Sequence, residues 1–241
     1  MPALARTSAD FLDAIHADVW HAHALSTAPL PVLATGDFAL DAQLPGGGWP
    51  VGALTEILQP PGVHSEWRLL MPALARSGLG PVLLVGAPHV PFAPSLMAQG
   101  LAAQRMLWVT AQSVASRLWA CEQALRCAEV NAVLAWLPQV RSEQLRRLQM
   151  AASEYSKLLF VMRPEAAQDE ASPAVLRLHV QPHTALAQKA TSVQTHEGLQ
   201  IQVLKRRGPP MEQPLQLPAR SAQLSLLLAA QHALDRSPTH A

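Results

Sequence analysis

Residues 35–76 read TGDFALDAQLPGGGWPVGALTEILQPPGVHSEWRLLMPALAR. Thr35-Gly36, Leu40-Asp41, Gly46-Gly47-Gly48 and Pro50-x-Gly52 form a turn-rich entry. The entry leads into Ala53 to Leu58, an apolar run of strand length, and Glu66 to Arg76 then has helical spacing. Turn, buried strand, loop and helix in this order is the layout that holds a nucleotide phosphate. A phosphate loop reads Gly-x-x-x-x-Gly-Lys-Ser/Thr. Its glycines let the backbone approach, its N–H groups cradle the anion, its lysine adds charge and its hydroxyl holds magnesium. The loop here is Gln59-Pro60-Pro61-Gly62-Val63-His64-Ser65-Glu66. It has no lysine, and Pro60 and Pro61 bring no N–H. Glu66 falls where the hydroxyl would sit. The position is expected to be a degenerate nucleotide site, with no cofactor.

The chain has 241 residues, 49% of them hydrophobic, which suits one core-bearing domain with appendages. A net charge of +1 gives no global field to recruit nucleic acid. Only 15% of the residues are charged, so parts of the surface are expected to be apolar, and such patches mark partners. Cys121 and Cys127 fall on different faces of one helix, and no Cys-x-x-Cys occurs. Both are expected to be buried, reduced thiols of a cytoplasmic protein. Asp10, Asp13 and Asp18 interrupt the N-terminal apolar stretch, so no signal peptide is expected. No apolar run has the length of a membrane span.

Ser8 caps a helix over residues 8–25, with Phe11, Leu12, Ile15, Val19 and Trp20 on one stripe. Such a stripe packs on its own core or docks on a partner, and spacing leaves both open. Residues 1–30 are read as this helix and a linker, 31–208 as the core, and 209–241 as a C-terminal segment with an apolar helical stretch at 222–234. From residue 53 strands and helices alternate. Strands are expected at Leu54–Leu58, Pro81–Gly86, Arg105–Val109, Ala132–Leu137 and Lys157–Met162, with later ones at Val175–Val180 and Leu199–Leu204. Helices are expected at Glu66–Arg76, where Pro72 should kink or split the element, and at Ser113–Arg126 and Ser142–Tyr155. A shorter helix, capped by Ser95, should run to Leu101. The alternation predicts an α/β fold, a doubly wound and mostly parallel sheet with helices on both faces. With its turn-rich entry, this layout resembles the core of the RecA-like ATPases.

A RecA-like ATPase also needs an acid at the end of a core strand to position magnesium, and a glutamate after the second strand to activate water. Trp136 and Pro88 stand at those places, and Arg68 lies too far into its helix to replace the lysine. Without lysine and metal the phosphoryl-transfer transition state loses most of its charge stabilisation, so no ATPase activity is expected. His64-Ser65-Glu66 places three triad residue types together. Neighbours on one turn do not orient each other as base and nucleophile, and no Gly-x-Ser-x-Gly elbow occurs. The expected role is Ser65 as helix N-cap, with Glu66 at the positive end of the dipole. His21-x-His23 and His179-x-x-x-His183 lack completing ligands and read as surface histidines, with no metal.

For DNA, the segment 163–170 is short and acidic and repels phosphate. Lys205-Arg206-Arg207, at the exit of a strand, is the candidate contact. A basic strand end touches phosphate or is only solvated, and no interleaved aromatics support base stacking.

LPGGGWPVGALTEIL (44–58), RLLMPALAR (68–76), LLVGAPHVPFAPSLMAQGL (83–101), LAWLPQVRSEQLRRLQMAA (134–152) and FVMRP (160–164) together resemble the ImuA family of translesion-synthesis accessory proteins. The likeness spans roughly residues 8–210. It implies a RecA-like protein without a working nucleotide site, acting in an SOS-induced cassette. The implied partners are an ImuB-type polymerase relative, RecA and an error-prone C-family DNA polymerase. Self-association is a further mode; DNA contact is weak or indirect, and no membrane is involved. Phe11, Ile15 and Trp20 are the candidate partner-binding residues. The segments TEILQPPGVHSEWRLLMPAL and LAWLPQV…FVMRP also resemble SulA, the SOS inhibitor of the division protein FtsZ. SulA-like chains are shorter and lack the GGGWPxG entry and a segment like Lys205–Pro210.

Overall fold

The computed structural model describes residues 30–187, 194–218 and 225–226, with backbone alone at 184–187 and 194–197. The helix expected at 8–25, with Phe11, Ile15 and Trp20, lies outside the described residues. So does most of the stretch 222–234.

Ten strands are described: β1 (Val32–Leu33), β2 (Trp49–Pro50), β3 (Ala53–Gln59), β4 (Val82–Val85), β5 (Met106–Val109), β6 (Ala132–Trp136), β7 (Leu158–Pro164), β8 (Leu176–Ala187), β9 (Gln194–Lys205) and β10 (Leu215–Pro218). Five helices join them: α1 (Phe38–Asp41), α2 (Glu66–Arg76), α3 (Ala93–Ala98), α4 (Val114–Arg126) and α5 (Ser142–Glu154). β1 and β2 form a small antiparallel pair. The other eight make one sheet, in the order β10-β9-β8-β3-β7-β6-β4-β5. The six strands from β8 to β5 run parallel; β9 adds antiparallel to β8, and β10 adds antiparallel to β9. The sheet is therefore mixed and mostly parallel, and it continues past residue 208 through β10.

Period-two alternation splits the apolar strands between two cores. Ile57, Val82, Leu84, Leu134 and Phe160 face α2 through Leu70, Met71 and Leu74. Leu54, Leu83, Val85, Val133 and Val161 face α4 and α5 through Cys121, Leu125, Leu145 and Leu148. Helices thus flank both faces. Each such buried leucine contributes about 1.5–3 kcal/mol through removal from water. Trp49 meets Phe160 edge-on at a centroid distance of 5.4 Å in the first core.

Two local expectations are corrected, and the alternatives at Pro72 are narrowed. Pro72 does not split α2, which runs unbroken over Glu66–Arg76. The proline ring faces Gly36, whose φ of 91° and missing Cβ leave room for it. The helix expected to be capped by Ser95 instead starts at Ala93, with Pro94 in its first turn and no side-chain cap. Cys121 is buried but Cys127, just past α4, is exposed. Burial pushes the Cys121 thiol up to about 12.

Candidate functional site

β3, β4, β5, β6 and β7 end on the same side of the sheet, where open α/β sheets bind their ligands. A cleft of about 530 Å³ lies there. Its walls come from the β3–α2 loop, the residues after β4 and β5, and the ends of β6 and β7. They include His64, Pro88, Trp108, Arg117, Trp136 and Arg163.

The β3–α2 loop is tied to itself. Gln59, buried at the end of β3, accepts from Ser65 N–H at 2.8 Å and donates from Nε2 to Glu66 Oε2 at 3.0 Å. Val63 N–H donates to Pro60 C=O at 3.1 Å. Ser65 does stand at the N-cap position of α2, but its side chain makes no capping bond. The residue that organises this helix start is Gln59, through the backbone of Ser65. Glu66 does lie in the first turn of α2, yet it is buried and its Oε1 lies 3.6 Å from His64 Nδ1. A carboxylate thus already sits at the positive end of the helix dipole. His64 packs edge-on against His89 at 4.9 Å.

The rest of the cleft is built from separate strand ends. Gly86, with φ of 67°, follows β4, and a Cβ there would meet Arg117 Nε at 2.8 Å. Only glycine lets the guanidinium lie against this turn. Arg117 then donates from Nε to Ala111 C=O at 2.9 Å and from Nη1 to Trp136 C=O at 3.2 Å. Trp136 Nε1 and Arg163 Nε are buried donors on this wall that have no hydrogen-bond partner among the described residues.

A buried ion network, not foreseen from sequence, adjoins the cleft. Glu56 on β3 is fully buried and faces two arginines. Arg163 Nη1 donates to Oε1 at 3.2 Å and Arg177 Nε donates to Oε2 at 2.5 Å. Arg163 also reaches Glu170 at 2.7 Å and Val140 C=O at 3.2 Å. Arg177 reaches the carbonyls of Ala167 and Gln168. Register explains the triad: Glu56 lies opposite Arg177 in the β3–β8 pair and opposite Val161, two residues before Arg163, in the β3–β7 pair. Acid and base at matched strand positions are the only sequence signal, and a single chain does not reveal the pairing.

Other expected site residues lie apart from the cleft. Arg68 donates from Nε and Nη2 to Pro218 C=O at 3.0 and 2.8 Å, clamping β10; burial lowers its pKa and Asp37 partly opposes this. Lys205, exposed at the end of β9, donates to Ser172 C=O at 2.9 Å. Arg206 donates to the carbonyls of Gln43 and Pro209, while Arg207 is exposed. His179 is not a bare surface histidine, since its Nε2 lies 3.2 Å from Glu165. Among the described residues no group of three or more His, Cys, Asp or Glu could hold a metal, and no helix is long and apolar enough to cross a membrane.

These features define an α/β protein with a mixed, mostly parallel sheet and a cleft at its carboxyl edge. The chain is 33% identical over 112 residues to the cell division inhibitor SulA of Photorhabdus laumondii, covering 46% of this chain and 63% of that one. It is 31% identical to SulA of Yersinia enterocolitica, covering 36% of this chain and 67% of that one. It is 32% identical over 135 residues to protein ImuA of Caulobacter vibrioides, covering 52% of this chain and 54% of that one. The chain belongs to this ImuA/SulA-related family. It spans little more than half the length of the ImuA relative and under two thirds of the Photorhabdus one. No protein-family model matches the chain.

Proposed function

We propose that this protein is a non-catalytic, RecA-like accessory protein of a DNA-damage response, acting in the cytoplasm within a translesion-synthesis complex. The observation that carries this reading is the β3–α2 loop. It holds no lysine, its Val63 and Ser65 N–H groups are already engaged, and Glu66 puts a buried carboxylate at the helix start. A nucleotide phosphate in this loop finds no lysine and meets a buried carboxylate, and the cleft arginines, Arg117 and Arg163, already donate to groups of the chain itself. The match to ImuA, over 52% of this chain against 46% and 36% for the two SulA proteins, supports the accessory role. An ImuB-type polymerase relative is the direct partner, with RecA and an error-prone C-family DNA polymerase in the same assembly. Lys205 and Arg206 are bonded to carbonyls of their own chain, which supports a weak or indirect DNA contact.

Co-purification with the ImuB-type protein tests the reading, together with damage-induced mutagenesis in a deletion strain. The expected result is a stable complex and lost mutagenesis; no complex and unchanged mutagenesis overturn it. A second reading, inhibition of cell division, draws on the larger share of the SulA chains that is matched. It requires filamentous cells on overexpression and slowed FtsZ assembly by the purified protein.

A further inference from the structure

Charge is unevenly spread along the chain. It has 17 Asp and Glu, and none lies between Trp67 and Cys121. That stretch supplies nearly all of α2, then β4, α3, β5 and the first half of α4. Its charged side chains are Arg68, Arg76, Arg105 and Arg117. The same stretch carries seven of the eleven large hydrophobic side chains exposed among the described residues, including Val90, Phe92 (71%), Met97 and Trp108 (41%).

Val90, Phe92 and Trp108 border one continuous surface. A smaller cavity of about 160 Å³, lined by Trp67, Val90 and Phe92, shares His64, Pro88 and Trp136 with the main cleft, and Trp108 stands on the other wall of that cleft. Glu66 is the sole carboxylate on these walls, and it is buried and bonded to Gln59. No salt bridge neutralises Arg117 among the described residues, since its partners are carbonyls. The surface also ends on β5, the outermost strand of the sheet. Gly86 N–H donates to Val109 C=O, so Val109 faces β4. By alternation, Trp108 turns its backbone groups outward, while Met106 N–H is taken by Ala103 C=O.

We infer that this surface, the cleft mouth with Val90, Phe92 and Trp108, docks an acidic segment of a partner protein that carries aliphatic or aromatic anchors. The inference rests on the accessory reading above and names the chemistry of the partner's docking segment. Anchors cover the exposed apolar side chains, acidic groups meet a flank with no acid of its own, and an extended backbone pairs with the open edge of β5. Two unsatisfied buried donors on the cleft wall, Trp136 Nε1 and Arg163 Nε, also favour an occupant rich in acceptors. Nucleic acid shares the negative charge but fits less well. The flank has no lysine, each of its arginines is bonded to a carbonyl of the chain, and apolar side chains outnumber cationic ones.

The test is fluorescence anisotropy with the full chain and three labelled probes: a peptide of about a dozen residues built from Glu, Leu and Trp, its Lys-for-Glu counterpart, and an oligothymidine. The acidic peptide is expected to bind, more weakly as salt rises. The basic peptide and the oligothymidine are expected not to bind. Phe92→Glu and Val90→Glu place acid on the surface and should each weaken binding by about tenfold or more. Phe38→Glu, at an exposed residue elsewhere, should leave it within about twofold. Matching thermal melts certify that the variants fold. No binding of the acidic peptide, equal binding of the basic one, preferential binding of oligothymidine, or an unchanged affinity in both surface variants overturns the inference. Failure of the accessory reading shows separately, as unchanged mutagenesis on deletion, while peptide binding reports on the surface alone.

Discussion

Glu56 shows what single residues decide in this molecule. Its carboxylate is shared between Arg163 and Arg177 with no contact to water. Glu56→Ala leaves two buried guanidinium groups without their acid, and urea unfolding is expected to show a loss of about 3–5 kcal/mol. Replacing Glu56, Arg163 and Arg177 together by Met or Leu is expected to cost much less, because no buried charge is stranded. A single and a triple variant of equal stability would contradict the network. The two cysteines give a second contrast. A thiol reagent near neutral pH is expected to label Cys127 in the native protein and Cys121 only after unfolding. Cys121 is held protonated up to about 12, whereas an unfolded cysteine ionises near 9.0. Between those values the unfolded chain releases a proton that the fold keeps, so stability falls as pH rises; below 9.0 the effect vanishes. Base titration of the melting temperature, compared with Cys121→Ala, checks the sign.

At the scale of elements, α2 continues through Pro72, and Gly36 leaves room for the proline ring on its outer side. Gly36→Ala forces a Cβ into Pro72 and a left-handed backbone onto alanine, so a loss of more than about 1 kcal/mol is expected in thermal or urea unfolding. Melting unchanged from the parent would mean that the turn is not held as described. Elements whose apolar spacing is strong were legible in the sequence. β3, α2, α4 and α5 fall within one residue of the expected ends. What depends on distant partners was not. β8 and β9 extend far beyond their apolar centres because they pair with each other, and β10 joins because Arg68 and β9 hold it. The missing lysine was readable at once in residues 59–66. The cleft walls were not, since Trp108, Arg117 and Trp136 meet only when the ends of β5 and β6 align with the first turn of α4.

On the scale of the whole molecule, the parallel sheet brings five strand ends to one rim and leaves β5 open at the far edge. Its charge is divided too: β4, β5 and the helical residues between 67 and 121 carry no acid, while the buried Glu56 network lies at the β3–β8 side. The β3–α2 loop lies between them, closed on itself by Gln59. Gln59→Ala leaves buried Glu66 and the Ser65 N–H without this partner and is expected to cost about 1–3 kcal/mol, without creating a nucleotide site. The account as a whole holds that this rim has no use for ATP. Titration calorimetry of the purified chain with magnesium-ATP, paired with a phosphate-release assay, tests that directly. The account predicts no binding heat and no turnover above buffer; saturable binding, or hydrolysis abolished by substitutions within residues 59–66, would contradict it.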